Sequence, residues 1–373
     1  MDFALSGDQQ LLRNSARAFL DEHCTPARVR SLAEDPRGES EATWKEIAQL
    51  GWLGLAVPEA YGGSALGMVE TVVLLDEMGR AAYPGPYLPT VLAGHAIARA
   101  GTVAQQREWL PAIATGEARA TVAFLDAELD WDIETATRTA AKRTPGGWVL
   151  SGMKHLVPWA HVATMVLVAA RTDGGLSLFI VPASAPGLRC SPVTVMDLTT
   201  RWSTLALDEV RVPVDAVVGK PGGAHALLHD LARRGAVGAA AEMLGAARRC
   251  LELSVAYAKV REQFGQPIGS FQAIRHKCAE MLLEVENSHA AVYYAAWALD
   301  AGAEDAALAA SVAKAYVSEA ARRVCGEAIQ VHGGIGFTWE YDLHLYVKRA
   351  KGLEPMYGDA DYHHELIARY VTR

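Results

Sequence analysis

Two short segments in the second half of the chain combine glycines with polar side chains that could hold a large anionic ligand. The first, residues 261–268, reads REQFGQPI, and Gln272 follows it closely; the second, residues 330–337, reads QVHGGIGF. Glycine inside a helix costs about 1 kcal/mol relative to alanine. It is nevertheless useful where a backbone must approach a ligand or end a helix. On these residues alone, a cofactor site and two capped helix ends are both open.

The spacing of apolar residues predicts that both segments belong to a helical bundle. Ile274, Cys278, Met281, Leu282 and Val285 recur at i, i+4, i+7, i+8 and i+11, which is one face of a helix. Helices are predicted near 228–260, 270–300, 305–330 and 360–371. Four helices of this length pack most naturally as a four-helix bundle.

The residues before the bundle divide into a helical part and a β part. Ser6 is typical of an N-cap for a helix over 7–23, and further helices are predicted over 44–50, 69–79 and 88–100. From about 118 to 221 the apolar runs are short, β-branched and separated by turn signals. The sequence therefore predicts an α+β fold. We expect an N-terminal α-helical domain (1–117), a small antiparallel β barrel or sandwich (118–221) and a C-terminal four-helix bundle (222–373).

Composition narrows the functional class. The 373 residues are 51% hydrophobic with a formal net charge of -8, enough for a large core. The densest basic stretch, 348–351, is too short to indicate nucleic-acid binding. We see no signal peptide and no run of about 18 apolar residues, so we expect a cytoplasmic protein without a membrane segment. Five scattered cysteines and 12 histidines lack ligand spacing, which predicts no disulfide framework and no metal.

Five motifs, in order along essentially the whole chain, resemble the acyl-CoA dehydrogenase family. They are VPEAYGG at 57–63, EMGRA at 77–81, DEVRVP at 208–213 and the two glycine-bearing segments. The resemblance implies a tetrameric flavoprotein of lipid metabolism that binds FAD at a subunit interface. Such an enzyme oxidises an acyl-CoA to the 2,3-enoyl-CoA, with a carboxylate as base, and passes electrons to an electron-transfer flavoprotein.

The resemblance also assigns residues to the nucleotide end of FAD. The six residues are Arg261, Phe264, Gln272, Gln330, Gly333 and Gly334. Arg261 would bind the pyrophosphate, because a planar guanidinium matches paired phosphate oxygens. Gly333 and Gly334 would let the backbone approach the phosphates, where a Cβ would collide.

The catalytic base departs from the family pattern. The position that usually carries the glutamate holds Tyr357, and the position used by a minority of members holds Gly235. A tyrosine with a pKa of about 10 is a poor base at neutral pH. Glu242 lies two helical turns after Gly235, on roughly the same face, and is one candidate base. Asp359 is the other. The alternatives are a paired carboxylate for Glu242 and a cofactor contact for Asp359.

The segments expected to face the flavin ring depart as well. Residues 125–132 lack the family's threonine-rich, glycine-containing stretch, and Pro158 replaces an expected hydroxyl residue. Intact nucleotide-end motifs without a base resemble one subunit of the two-chain actinobacterial enzymes that act on steroid side chains. Three alternatives stay open: an enzyme active alone on a bulky or fatty acyl-CoA, a binding or assembly subunit, and a flavin monooxygenase or oxidase on the same fold.

Overall fold

The first part of the molecule is helical. The structure, a computed structural model, describes residues 4–372; residues 1–3, where the signal-peptide prediction begins, and residue 373 lie outside the described residues. Six helices come first: α1 (Gly7–His23), α2 (Pro26–Glu34), α3 (Glu41–Gln49), α4 (Met68–Arg80), α5 (Tyr87–Ala100) and α6 (Val103–Ala114). The predicted N-cap is confirmed, since Ser6 and Gln9 form a reciprocal capping box. The short helices α2 and α6 were not predicted.

A mixed sheet follows. Its elements are β1 (Ala120–Ala123), the short α7 (Ile133–Ala136), β2 (Ala140–Thr144), β3 (Gly147–Pro158), β4 (Met165–Thr172), β5 (Gly175–Pro182), β6 (Leu188–Val193), β7 (Trp202–Val212) and β8 (Val217–Val218). The strand order is β6-β7-β3-β2-β4-β5-β8, with β1 beside β4. The α+β class is confirmed, but the sheet is not antiparallel throughout, because β1 and β2 run parallel to β4. Parallel pairing is possible here since long connections, not hairpins, join these strands.

The C-terminal part is the predicted bundle. Its elements are α8 (His225–Val260), a hairpin of β9 (Glu262–Gln263) and β10 (Gln266–Pro267), α9 (Gln272–Ala301), α10 (Ala306–His332), α11 (Leu343–Leu353) and α12 (Ala360–Val371). Helix α10 packs against α8, α9 and α12, while the unpredicted α11 packs on α8. Within residues 4–372, no helix is both long and apolar enough to cross a bilayer.

Glycines let α4 of the first part cross α8 of the bundle at backbone contact. A Cβ at Gly79 would lie 2.0 Å from the carbonyl oxygen of Glu242, and one at Gly245 would lie 1.9 Å from that of Asp76. Any larger side chain would force the helices apart. The crossing therefore fixes where Glu242 stands relative to the first helices, and it gives a physical reason for Gly79 in the EMGRA motif.

The hydrophobic core has two parts that meet at the sheet. Leu167 and Leu178 belong to the larger core, which also contains residues of the N-terminal helices and of the C-terminal bundle. Their neighbours Val168 and Phe179 point into a smaller core of the sheet itself. This alternation is the period-two pattern of a strand buried on both faces. The predicted domain limits at 117/118 and 221/222 stay predictions.

Candidate functional site

The two positions that the resemblance assigns to the catalytic base contact each other. Gly235 lies in the first half of α8, and Tyr357 lies in the turn between α11 and α12. A Cβ at Gly235 would stand 2.3 Å from Cε1 of Tyr357, so the tyrosine ring fills the space that a side chain at 235 would need. Tyr357 is 6% exposed and has a left-handed backbone with φ of 58°, which is uncommon for a residue other than glycine.

Tyr357 belongs to an aromatic cluster, and its hydroxyl is held protonated. Its ring lies 5.1 Å from that of Trp131 and 6.1 Å from that of Phe124, between centroids. The indole N–H of Trp131 donates to the carbonyl of Pro355, two residues before Tyr357. Burial raises the pKa of Tyr357 above its ordinary value, and the charge of Glu242 raises it further. This side chain can fill space and donate a hydrogen bond, but it cannot take a proton from a substrate carbon.

Glu242 is bound to a buried arginine. Its Oε2 accepts a hydrogen bond of 2.9 Å from Nη1 of Arg349, which is 1% exposed and also lies 2.9 Å from Oδ2 of Asp197. The same guanidinium donates to three backbone carbonyls, those of Ala82, Tyr83 and Thr199. Burial raises the pKa of Glu242, while Arg349 opposes that shift. Because an unpaired buried charge is strongly destabilising, the carboxylates and carbonyls are what make Arg349 tolerable here.

A small cavity lies beside Glu242. We call it the Glu242 cavity; its lining includes Tyr83, Leu88, Trp159, Trp202, Glu242 and Tyr357. Its volume is about 40 Å³. Sites that bury a drug-sized ligand are usually ~300–1,000 Å³. The cavity in this chain admits a water molecule or two, and it cannot admit a three-ring flavin without rearrangement of its aromatic walls.

The two sheet segments predicted to face the flavin ring are bound to each other. The fully buried Nζ of Lys154 lies 3.0 Å from Oδ1 of Asp126 and donates to the carbonyl of Phe124. Asp126 also accepts from the backbone and hydroxyl of Thr139. Burial lowers the pKa of Lys154 to about 8, although Asp126 opposes the shift. Beside them, the carbonyl of Pro158 accepts from Thr121 Oγ1. These groups already have partners within the chain, so they do not offer the polar contacts that a flavin ring would need.

The residues assigned to the nucleotide end lie together at one end of the bundle. The ring of Tyr257, one turn before Arg261, stacks on His332 with 4.7 Å between centroids, which joins the ends of α8 and α10. Gly333 then ends α10 with φ of 63°. Gln272 opens α9 and Gln330 stands in the last turn of α10, both near this end.

These nucleotide-end residues are open to solvent. Phe264 is 93% exposed, and a Cβ at Gly333 or Gly334 would meet no atom within 4 Å. The Arg261 guanidinium makes no hydrogen bond or ion pair with any part of the chain from 4 to 372. An unpaired arginine and two unobstructed glycines at the same end of the bundle fit a phosphate-bearing ligand. This end of the candidate site therefore fits the cofactor that the ring end does not.

The two ends are far apart in one chain. Arg261 follows Gly235 by 26 positions (261 minus 235) and Glu242 by 19, with α8 continuous between them. At ~1.5 Å per residue these separations are about 39 Å and about 28 Å along the helix axis. Arg261 is assigned to the pyrophosphate, which a five-carbon ribityl chain joins to the flavin ring, and that span is shorter than either distance. One cofactor cannot contact Arg261 and the Glu242 cavity of the same chain.

A second, larger cavity lies on the other side of Tyr357. We call it the His363 cavity; its volume is about 280 Å³, and its lining includes Trp131, His229, Arg233, Tyr357, His363 and Arg369. It joins aromatic walls to a basic rim. Asp359, the other candidate base, lines neither cavity. Its carboxylate accepts from the backbone N–H of Tyr362 and caps α12.

The sequence patterns did not identify three buried polar residues as part of the site. They are Lys314, Arg349 and His363. Arg349 lies within the short basic stretch at 348–351, which resembles a solvated surface segment. Lys314 and His363 lie in helices with no local motif. Among residues 4–372, no cluster of three or more histidine, cysteine or acidic residues could hold a metal ion.

Comparison with known proteins supports the resemblance along the whole chain. Models of the acyl-CoA dehydrogenase N-terminal, middle and C-terminal domains match residues 6–117, 131–210 and 223–372. Acyl-CoA dehydrogenase IpdE2 of Mycolicibacterium smegmatis is 31% identical over 95% of this chain and 96% of its own length. A structure of a Tcur3481–Tcur3483 steroid ACAD variant is 34% identical over 98% of both chains, with a TM-score of 0.89. The ChsE4–ChsE5 complex from Mycobacterium tuberculosis is 29% identical over 100% of this chain and 99% of that one, with a TM-score of 0.92.

Proposed function

The chain belongs to the acyl-CoA dehydrogenase family, whose members are oxidoreductases acting on the CH–CH group of an acyl-CoA, and on that premise we propose that it is one subunit of a two-chain enzyme. In this proposal the chain binds the nucleotide end of an FAD whose ring, together with the catalytic base, lies on a different chain.

The observation that carries the proposal is the length of α8 between the two ends of the site. Arg261 is about 39 Å from Gly235 along the helix, so Arg261 serves a cofactor whose ring is held by another subunit. A second copy of this chain would offer the same small Glu242 cavity of about 40 Å³. The ring therefore needs a subunit of different sequence, in which that cavity is open.

The base positions support the same conclusion. Tyr357 and Gly235 carry no carboxylate, and Glu242 is bound to Arg349. We propose that Glu242 stabilises Arg349 and that the partner subunit supplies the base. FAD, when bound, supplies the hydride acceptor; this chain contributes Arg261, Gln330 and the Gly333–Gly334 backbone to its binding.

The family and two similar structures support a proposal for the substrate class. We propose an acyl-CoA with a bulky, steroid-like acyl group, because similar solved structures include a steroid ACAD and a two-chain complex. We further propose a cytoplasmic heterotetramer that passes electrons to an electron-transfer flavoprotein.

Co-expression tests the proposal. The chain is purified alone and together with the product of an adjacent gene for a family member that carries the glutamate. We expect the chain alone to be colourless and inactive, and the complex to be yellow, with one FAD per pair of chains and acyl-CoA dehydrogenation. Stoichiometric FAD and rapid turnover by the chain alone would refute the two-chain proposal.

The alternative of an assembly subunit without a redox role makes a different prediction. The lost base favours it, whereas the exposed and unpaired Arg261 speaks against it. If Arg261→Ala leaves both the FAD content and the turnover of the complex unchanged, the assembly reading becomes the better one. Oxygen consumption without an added electron acceptor would instead favour a monooxygenase or oxidase.

A further inference from the structure

A lysine that no motif identified is fully buried beside the turn that carries Tyr357. Nζ of Lys314 donates to Ser318 Oγ at 3.2 Å, to the carbonyl of Glu354 at 2.7 Å and to the carbonyl of Gly358 at 2.8 Å. All three ammonium donors are therefore used. Among residues 4–372 no carboxylate lies within ion-pair distance of this ammonium, so its role is to bind backbone carbonyls and not to neutralise an acid.

A histidine binds the same turn from the other side. Nε2 of His363 lies 2.9 Å from the carbonyl oxygen of Tyr357 and must donate to it. The other ring nitrogen, Nδ1, is buried without a partner, which fits a neutral ring. Burial lowers the pKa of His363 to about 4, and the charge of Lys314 adds to the shift. Lys314 and His363 thus hold the carbonyls of residues 354, 357 and 358.

We propose that Lys314 and His363 form a clamp that keeps Tyr357 against Gly235 and thereby keeps the Glu242 cavity of this chain closed. Both are positioning residues. The turn needs such support, because a tyrosine with φ of 58° is strained and a strained backbone persists only where its surroundings determine it. Gly358, with φ of 95°, is the only other residue of the turn with a positive φ.

The clamp is built to hold on both sides of neutral pH. Burial lowers the pKa of Lys314 to about 7, while the charges of Glu354 and Asp359 oppose the shift; His363 faces it from α12. A neutral amine keeps two N–H donors for the two carbonyls, and its lone pair can accept from the Ser318 hydroxyl, which can reverse its role. We therefore expect closure of the turn to be independent of pH between 6 and 8.

The meaning of closure rests on the proposed function: a chain that completes a partner's cofactor site keeps its own reaction cavity shut. The clamp itself can be tested without flavin or activity. Hydroxyl-radical footprinting with peptide mass spectrometry measures the solvent access of individual tyrosines in the purified protein, in its native assembly. Tyr357 reports on the clamp, and Tyr87, which is 1% exposed and hydrogen-bonded to the carbonyl of Trp52, reports on global folding.

The test compares Lys314→Met, which keeps the apolar stem and loses the donors, with Lys259→Met, which removes an exposed lysine near the end of α8. We expect several-fold more labelling of Tyr357 in Lys314→Met, unchanged labelling of Tyr87, and no change at either tyrosine in Lys259→Met. Wild-type labelling of Tyr357 should be the same at pH 6 and pH 8.

Unchanged protection of Tyr357 in a folded Lys314→Met protein overturns the proposal. If Tyr87 is also exposed, the variant is unfolded. The labelling of Tyr357 and Tyr87 is then measured in His363→Leu instead. A folded His363→Leu protein that still protects Tyr357 also overturns the clamp. The footprinting test and the co-expression test can fail independently. A clamp can be confirmed in a chain that proves active alone, and it can be refuted in a chain that needs a partner.

Discussion

Replacing Gly235 by alanine tests whether the Tyr357 ring really occupies the family's base positions. The new Cβ would lie 2.3, 2.5 and 2.7 Å from three atoms of that ring, where ordinary contact begins near 3.4 Å. In an exposed helix the same change would stabilise the protein by roughly 0.5–1 kcal/mol. At 235 the clash should cost about 1–3 kcal/mol, as overpacking does in a dense core.

In the wild-type protein, Gly235→Ala should therefore lower the free energy of unfolding by between zero and about 2 kcal/mol. Tyr357→Ala removes the ring and keeps the left-handed backbone, at an expected cost of about 3–5 kcal/mol for the lost aromatic packing. In that background Gly235→Ala meets no ring and should stabilise by up to about 1 kcal/mol. The coupling between the two changes should thus be about 1–3 kcal/mol.

Urea-induced unfolding of the four proteins measures this cycle, at one protein concentration because assembly shifts apparent stability. Gly326→Ala is the matched control: Gly326 also lies within a bundle helix, and a Cβ there meets nothing within 4 Å. Gly326→Ala should stabilise slightly in both backgrounds. Additive effects of Gly235→Ala and Tyr357→Ala, or equal effects at 235 and 326, would refute the contact.

Three further predictions concern charged groups. Glu242→Gln keeps a hydrogen-bond acceptor for its arginine, so turnover of the proposed two-chain enzyme should stay within a few-fold of wild type; a loss of orders of magnitude would identify Glu242 as the base. Arg261→Ala should weaken FAD binding by the complex about 10- to 100-fold in a flavin-release titration, whereas the control Arg189→Ala, at an exposed site on the sheet, should not. Asp230 has its pKa lowered to about 2, because hydrogen bonds from His95 and the neighbouring arginine outweigh the effect of burial. Its stabilisation, about 2 kcal/mol, is present above the unfolded pKa near 4 and is lost as pH falls toward 2; the difference in unfolding free energy between wild type and Asp230→Asn should shrink over that window, and a constant difference would contradict the assignment.

Local patterns were sufficient for much of the fold. The cap at Ser6 and the long bundle helices depend on residues close in sequence, and each was predicted near its observed limits. Helix α11 was missed since its residues, from Leu343 to Leu353, include a basic stretch that suggests an exposed segment. The parallel pairing of β1 with β4 depends on partners some forty residues apart, which no local period reports.

The sequence singled out residues for the candidate site but did not give their arrangement. Counting from motifs singled out Gly235 and Tyr357 as empty base positions, yet their mutual contact needs α8 and the turn before α12 to meet. Lys314 and Arg349 were missed for a general reason. A buried cation is stabilised by carbonyls and acids brought in from distant segments, and the sequence around it is that of an ordinary helix.

The exposed end of the bundle has a consequence for the steady-state level of this protein in the cell. Phe264, Phe337 and Val260 are 93%, 79% and 76% exposed near the same helix ends. Apolar side chains in such numbers attract chaperones and promote aggregation when no partner covers them. In the proposed two-chain enzyme, a copy made in excess of its partner would keep this surface uncovered and be degraded or precipitated, so the partner's supply would set the level of this chain. The same surface that completes a cofactor site would then also keep the two subunits in equal numbers.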